Sequence, residues 1–200
     1  MAAAGRVCTG FSKPYVATYS NSGTSVTYSS GQLLARGVSV NLQPESSEDN
    51  NFYADNVIAE SGAGEFVGGT VELTVDGLFR DTEDLIFGSP TEVDGWVADG
   101  DQSSVPFCAV GFIVRWMSDG VTSYQPVVLP KVKFNIPEEE RATQEDEIDW
   151  QTTTLSATMM RDDTANRNWR YRGASFASEA AAEAELQEFL GITPIPVITT

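Results

Sequence analysis

Histidine is absent from this chain of 200 residues. Histidine is the side chain that most often serves as a general base or a metal ligand near neutral pH. Its absence excludes the Ser-His-Asp and Cys-His arrangements of nucleophilic catalysis. Any hydrolytic chemistry would therefore have to depend on carboxylates.

Basic residues are scarce as well. The chain has 12 lysines and arginines against 29 aspartates and glutamates, which gives a formal net charge of -17. A protein that binds nucleic acid normally presents a stripe of Lys and Arg side chains to neutralise phosphates. The charge argues against such a binder, but it is compatible with a surface past which nucleic acid slides without sticking.

Cysteines and long apolar runs are also few. Cys8 and Cys108 are too few for a disulfide framework, so we expect free buried thiols, with a single bridge as the alternative. The longest apolar run, residues 107–114, is too short to span a bilayer, and residues 1–6 lack the apolar segment of a signal peptide. We expect one soluble domain over residues 1–200.

What the sequence does contain is strict alternation of apolar and polar residues. Residues 37–43, 70–76, 131–136 and 155–160 all show it, as half-buried strands do. Residues 105–117 are apolar on both faces and predict a central strand. The sequence therefore predicts a mainly β fold of antiparallel strands.

Two helices and two terminal segments complete the predicted domain. Residues 78–87 have helical spacing, and a C-terminal helix over 178–190 begins at Ser178 with carboxylates in its first turns. Residues 1–10 are predicted to be a loose N-terminal arm. Residues 192–200 are predicted to be an extended tail because Pro194 and Pro196 cannot continue a helix.

The alternation is lost between residues 45 and 69, which we interpret as a long loop. Loops of this length in compact domains are usually functional or disordered. Aromatic residues inside this segment, such as Phe52 and Tyr53, favour docking on another molecule. The glycines of 62–64 and 68–69 precede a strand and lack the Lys-Ser/Thr of a phosphate loop, so we interpret them as a flexible hinge.

Carboxylates are the remaining candidates for chemistry. Residues 138–147 could supply a glycosidase pair, but such a pair needs one raised pKa in a dry pocket, and these acids lie in a polar connection. Asp99, Asp101 and the pair Asp162-Asp163 do not fit a twelve-residue calcium loop. We expect no catalytic, cofactor or metal site, and keep a carbohydrate-binding or glycosidase module and a calcium-dependent adhesin as alternatives.

Small polar residues alternate along several of the predicted strands. They would form either a hydrated surface to which a partner binds only weakly or an ordinary solvent face of an antiparallel sheet. These residues are Ser39, Asn41, Gln43, Thr70, Glu72, Thr74, Ser156 and Thr158.

A series of longer segments gives the chain a family resemblance. The segments are GVSV at 37–40, NFYADN at 51–56, GTVELTVDGL at 69–78, AVGFIVR at 109–115, LPKVKF at 129–134, QEDEIDWQT at 144–152 and MRDDTAN at 160–166. In their order and spacing, the chain resembles the major tail proteins, or tail tube proteins, of long-tailed, non-contractile bacteriophages.

The resemblance implies a β-sandwich or barrel with flanking helices that assembles as hexameric rings stacked into a tube. One sheet of each subunit would join its neighbours' sheets around the lumen, and a long loop would reach the adjacent ring. It implies a structural virion protein without enzymatic activity or cofactor, assembled in the host cytoplasm. Its partners would be other copies of itself, the tape measure protein, the tail terminator and distal tail proteins, and double-stranded DNA in transit.

The resemblance also assigns expected roles to residues. The inter-ring contact would use Phe52, Tyr53, Asp55, Asn56, Val57 and Ile58. The eight small polar residues would line the lumen, and an inter-subunit loop would contain Glu138, Glu139, Glu140, Glu145 and Glu147. Lys131 and Lys133 are expected to face outward or to pair with acids across a subunit boundary, since DNA carries a charge per ~1.7 Å of its axis and a basic lumen would trap it.

Overall fold

The computed structural model describes residues 5–48, 50–62, 64–88, 91–94, 96–98, 104–138, 143 and 150–193. The strands are β1 (Val7–Ser22), β2 (Ser25–Leu33), β3 (Gly37–Ser46), β4 (Asn50–Ala54), β5 (Val57–Gly62), β6 (Phe66–Val75), β7 (Thr91–Val93), β8 (Trp96–Ala98), β9 (Phe107–Ser118), β10 (Val121–Phe134), β11 (Thr153–Met160) and β12 (Tyr171–Arg172). The helices are α1 (Arg80–Phe87) and α2 (Glu179–Phe189). The predicted fold class is confirmed: a mainly β, antiparallel domain with a short helix and a C-terminal helix.

One large antiparallel sheet organises the domain. Its strands follow the order β2-β1-β9-β10-β11-β6-β3, and β12 adds to β10. Two separate hairpins, β4-β5 and β7-β8, lie outside it. Across the described residues the sheet does not close into a barrel, so β2 and β3 are its two edges.

Strand β10 belongs to both halves of this sheet. It pairs with β9 from Val121 to Lys133, with a register shift between Leu129 and Val132, and its last residues, Lys131 to Phe134, also pair with β11. Pro130 lies within the shift, where the missing backbone N–H of proline is tolerated. A bulge of this kind bends a strand and increases its twist. The sheet thereby folds into a sandwich, with β2, β1 and β9 in one half and β11, β6 and β3 in the other.

The main core lies between the two halves. Central strand β9 sends Val110 and Phe112 into it, and Leu73 of β6 and Leu155 of β11 meet them from the other half. Helix α1 adds Ile86 at one end. Both faces of β9 are buried from Cys108 to Ile113, and the strand lies inside the sheet, which confirms its predicted central position.

Helix α2 covers the outer face of the first half. Leu186 and Leu190 pack on Ala109 and Ile113 of β9. The helix begins as predicted at Ser178, whose Oγ accepts a hydrogen bond from the Ala181 backbone N–H at 3.3 Å. The predicted tail after residue 191 is described only as far as Thr193, and residues 194–200 lie outside the described part of the chain.

The predicted loose N-terminal arm is wrong for residues 7–10. Val7, Cys8 and Gly10 pair with Met117, Trp116 and Arg115 of β9 as the first part of β1. Without them, the end of β9 would be an unpaired edge. Residues 1–4 of the predicted arm lie outside the described residues.

Both cysteines are free, as expected, but only one is buried. Cys108 lies in the core, where burial raises its pKa to about 12. Cys8, in the first part of β1, is exposed, so the expected burial is wrong for this thiol. Neither described helix has the length and apolar composition needed to cross a bilayer.

The contact between α2 and β9 makes a stability prediction. An added Cβ at Gly111 would lie 2.5 Å from Leu186 Cδ1 and 3.2 Å from Leu190 Cδ1. We predict that Gly111→Ala lowers the free energy of unfolding by about 1–3 kcal/mol, because overpacking forces neighbouring side chains to move. Urea denaturation measures the difference.

The matched control is Gly10→Ala in β1. No atom lies within 4 Å of its added Cβ. We expect a change within about 0.5 kcal/mol, as for substitutions away from the core. Equal losses in the two variants would contradict the packing of α2 on β9.

Candidate functional site: a polar sheet face and a projecting hairpin

Three neighbouring strands of the second half present a polar surface, which we call the polar face: the outward side of β3, β6 and β11. Its members lie in cross-strand rows fixed by the strand register. The rows are Ser39, Thr74 and Thr154; Asn41, Glu72 and Ser156; and Gln43, Thr70 and Thr158. The structure thus places all eight of the small polar residues identified from sequence on one face.

The register of the polar face is fixed from its other side. Val71, Leu73 and Val75 alternate with the polar residues of β6 and are buried in the core. A slip of one residue would expose all three, so the pairing is strongly specified. The position of the polar side chains is therefore set by the hydrophobic core beneath them.

Hydrogen bonds link short side chains across the polar face. Asn41 Nδ2 donates to Glu72 Oε2 at 3.3 Å, and the Thr74 and Thr154 hydroxyls lie 3.2 Å apart. Glu72 is the single charged residue in the three rows, and exposed Lys133 pairs with Thr158 beside them. The face therefore carries hydroxyl, amide and carboxylate groups without an apolar patch.

Lys131 of β10 forms an ion pair with an acid of its own chain. Lys131 Nζ lies 2.7 Å from Asp163 Oδ2 and 4.8 Å from the centroid of the Phe107 ring. Lys131 is only 15% exposed at its side chain. The expectation that both lysines face outward or pair across a subunit boundary is wrong for Lys131, because the acid that neutralises it comes from the same chain.

The second feature is a hairpin that continues two strands of the polar face. After Ser46 of β3 pairs with Phe66 of β6, the Ser47 N–H donates to the Glu65 carbonyl at 2.8 Å, and β4 then pairs with β5. We call residues 47–65 the arm. The predicted loop over 45–69 is therefore wrong as secondary structure.

The tip of the arm explains why a hairpin forms. Asp55 and Asn56 have φ angles of 50° and 62°, and they link Ala54 to its partner Val57. Aspartate and asparagine tolerate this left-handed conformation, which two-residue hairpin turns require. The dipeptide between two apolar stretches was the signal in the sequence that could have identified the hairpin.

Large apolar side chains on the arm are exposed. Phe52, Val57 and Ile58 are 64%, 63% and 54% exposed. Strand alternation and the pairing of Ala54 with Val57 place Phe52 and Val57 on one side of the hairpin. Tyr53 lies in β4 opposite Ile58. Exposed apolar side chains grouped on one projecting hairpin indicate an interaction site, and an isolated two-stranded hairpin is only marginally stable in water.

The base of the arm contacts residues that sequence reasoning missed. Arg161 Nη2 donates to the Phe66 carbonyl oxygen, and the Trp169 ring stacks on the Phe66 ring with centroids 4.7 Å apart. These pairs are about a hundred positions apart in the chain. No local pattern in the sequence indicates them.

The predicted flexible hinge is wrong for Gly68 and Gly69, which lie in the strand ladder at the base of the arm. Gly68 pairs with Glu45, and Gly69 lies in the ladder between Pro44 and Met159. A Cβ at position 69 would lie 2.5 Å from the Gln43 carbonyl oxygen. Close approach of three strands explains this glycine. Gly62 is the end of β5, and Ala63 lies outside the described residues.

The acidic connection after β10 is described only at its start. Glu138 is exposed. Glu139, Glu140, Glu145 and Glu147 lie outside the described residues, as do Asp99 and Asp101. In the part of the chain that the structure describes, no three acidic or cysteine side chains come together as a metal site.

The remaining acidic pair organises its own loop. Asp162 is buried, and its carboxylate accepts hydrogen bonds from Thr164 Oγ1 at 2.6 Å, Asn168 N at 2.9 Å and Tyr171 Oη at 2.6 Å. Asp163 accepts from Tyr19 Oη at 2.7 Å in addition to its contact with Lys131. These carboxylates hold the polypeptide after β11 in place.

Comparison with known proteins found no match, so these surfaces are interpreted from their own geometry. No model of a known protein family matches the chain, and no curated protein matches it.

The Asp163 contacts predict a pH-dependent contribution to stability. Hydrogen bonds from Lys131 and Tyr19 lower the Asp163 pKa below its ordinary value of 3.8. A carboxyl group with a lowered pKa in the folded state stabilises the fold above the unfolded-state pKa, and loses that contribution as pH falls through the folded-state pKa. We predict that Asp163→Asn is less stable than the parent at neutral pH and that the gap shrinks in acid.

Urea denaturation over a pH series measures this gap. The control is Asp119→Asn, which removes an exposed acid from the turn between β9 and β10, at a φ of 49° that asparagine tolerates. We expect its stability relative to the parent to stay nearly constant. A gap for Asp163→Asn that is the same at all pH values would contradict the assignment.

Proposed function

We propose that this protein is a tail tube subunit of a long-tailed, non-contractile bacteriophage, and that it assembles into stacked hexameric rings around a conduit for double-stranded DNA. Its role is structural and not catalytic. The observation that carries the proposal is the polar face, which lies on three adjacent strands, ends at edge strand β3 and continues into the arm.

The composition of the polar face suits the wall of a DNA passage. Counterion release from phosphates drives binding to basic surfaces, since duplex DNA carries a charge per ~1.7 Å of axis. The rows of the polar face instead hold Ser, Thr, Asn and Gln side chains and Glu72, and the chain as a whole carries -17. DNA would pass such a wall with weak interaction, and the eight residues would line the lumen.

Edge strand β3 suits a contact between neighbouring subunits in a ring. Exposed edges are usually protected by lysines, by proline or by a covering segment. Strand β3 has no lysine, and its one proline, Pro44, lies near the end of the strand. Pairing of this edge with a neighbour's sheet would extend the polar face around the lumen, and a heterologous contact of this kind closes into a ring when its rotation permits.

The arm suits the contact between rings. Burial of Phe52, Val57 and Ile58 against an adjacent ring would remove their exposed surface from water. Stacking of rings through such arms is open-ended, as a tube requires. Tyr53, Asp55 and Asn56 would complete the contact at and near the tip of the arm.

The rest of the proposal concerns partners and location. By the family resemblance, the partners of the protein would include the tape measure protein and the tail terminator and distal tail proteins. The acidic residues 138–147 would lie at a subunit boundary. The protein would assemble in the host cytoplasm and function in the virion tail.

Assembly is tested on the purified full-length chain. We expect negative-stain microscopy at high protein concentration to show rings or tubes with a lumen wide enough for duplex DNA. Sedimentation should show a concentration-dependent shift from monomer to large species. The proposal would be contradicted if the chain stays monomeric at all concentrations and ionic strengths and is absent from virions.

The arm is tested by removing its apolar side chains. We predict that Phe52→Ser combined with Ile58→Ser leaves a folded monomer with an unchanged thermal midpoint but abolishes tubes, because both side chains are exposed in the subunit. Circular dichroism and microscopy measure the two effects.

The control is Phe79→Ser, which removes another exposed aromatic ring, 80% exposed, outside the arm. We expect it to assemble as the parent does. Loss of the subunit fold in the arm variant would show that Phe52 and Ile58 belong to the subunit's own core. Equal loss of assembly in the control would show that the arm has no special role.

A further inference from the structure

The base of the arm extends beyond the strand that supports it. Strand β11 pairs with β6 from Thr153, opposite Val75, as far as Met159, opposite Gly69. The part of β6 before Gly69 still pairs with β3, whereas the pairing with β11 ends at Gly69. At Phe66 the ribbon is two-stranded, so a further contact is needed to fix its direction.

Arg161 supplies that contact from the first position after β11. Its Nη2 donates to the Phe66 carbonyl oxygen and lies 3.3 Å from Glu65 Oε2. The Glu65 side chain is 80% exposed, so the ion pair itself contributes little. The charged hydrogen bond to the backbone is the stronger of the two contacts, and it acts where the ladder to β11 has ended.

Trp169 holds the same residue through its side chain. The Phe66 and Trp169 rings stack with an interplanar angle of 7° and a centroid separation of 4.7 Å. The Arg170 guanidinium carbon lies 4.5 Å from the centroid of the Trp169 ring. Backbone and side chain of Phe66 are therefore both engaged by the segment that follows β11.

That segment is itself anchored to the sandwich. Buried Asp162 binds Thr164, Asn168 and Tyr171 within the segment and at the start of β12. The adjacent Asp163, through Lys131 and Tyr19, ties it to β10 and β1. Arg161 and Trp169 are thus attached to a fixed support and not to a mobile loop.

We infer that Arg161 and Trp169 form a clamp on Phe66 that fixes the direction in which the arm leaves the sheet, and that they act as positioning residues for its contact with a second copy of this chain. The identity of that partner rests on the proposed function. A hairpin held in its bound direction before contact loses less conformational entropy when it binds.

The direction of the arm is measured by the distance between two spin labels on the full-length chain at a concentration where it is monomeric. One label is attached at Glu60→Cys in β5 and the other at Glu185→Cys in α2, both exposed, with exposed Cys8 replaced by Ser. We expect a single narrow distance peak for this parent. In the Arg161→Gln variant, we expect a broad distance distribution in place of the narrow peak.

The matched control is Arg167→Gln, which removes the same charge from an exposed position in the same segment. We expect it to keep the narrow peak. Trp169→Leu removes the ring stack by a second route and should also broaden the distribution, so the test remains if one variant does not fold. An unchanged peak in the folded Arg161 and Trp169 variants, or equal broadening in the Arg167 control, would overturn the clamp.

Assembly assays on the same variants separate this inference from the proposed function. If the parent shows a narrow peak but never forms tubes, the clamp is supported and the proposed tube function is contradicted. Tubes that form equally well from the parent and from a variant with a broadened peak would overturn the positioning role.

Discussion

Strand β10 is shared by the two halves of the sheet, and the register shift between Leu129 and Val132 determines the rest of the architecture. The bend lets Val110 and Phe112 of one half meet Leu155 of the other, so a single sheet encloses its own core. The apolar side of β6 and β11 is used in that core. Their other side, the polar face, carries short hydrophilic side chains in fixed register, and helix α2 covers the opposite side of the molecule.

The segment after β11 connects this architecture to the arm. Its acids bind β1, β10 and their own loop, while its arginine and tryptophan hold Phe66. A continuous series of contacts therefore links the sandwich, the polar face and the arm. In the proposed tube, this continuity would let a subunit present a lumen wall and an inter-ring contact in one defined relative orientation.

The strands around the core were predictable because burial on one face leaves a period-2 pattern, as at Val71, Leu73 and Val75. The hairpin structure of the arm was not predicted because the consecutive apolar residues Phe52-Tyr53 and Val57-Ile58 give no period-2 pattern and because no core residues accompany them. The Arg161 and Asp163 contacts join residues far apart in sequence, so neither composition nor a local pattern could predict them. The eight polar residues could be chosen by alternation, since register places them on one face.

In the proposed tube, the polar face would line an enclosed lumen. The most direct measurement is the reactivity of a cysteine at Thr158, an exposed position in β11, with Cys8 replaced by Ser. In assembled particles, we predict that the cysteine at position 158 reacts with a small maleimide and is protected from a maleimide on a bulky polymer, whereas a cysteine at Glu185 on α2 reacts with both. If the bulky reagent reaches Thr158→Cys as readily in particles as in monomers, the polar face is not the wall of a lumen.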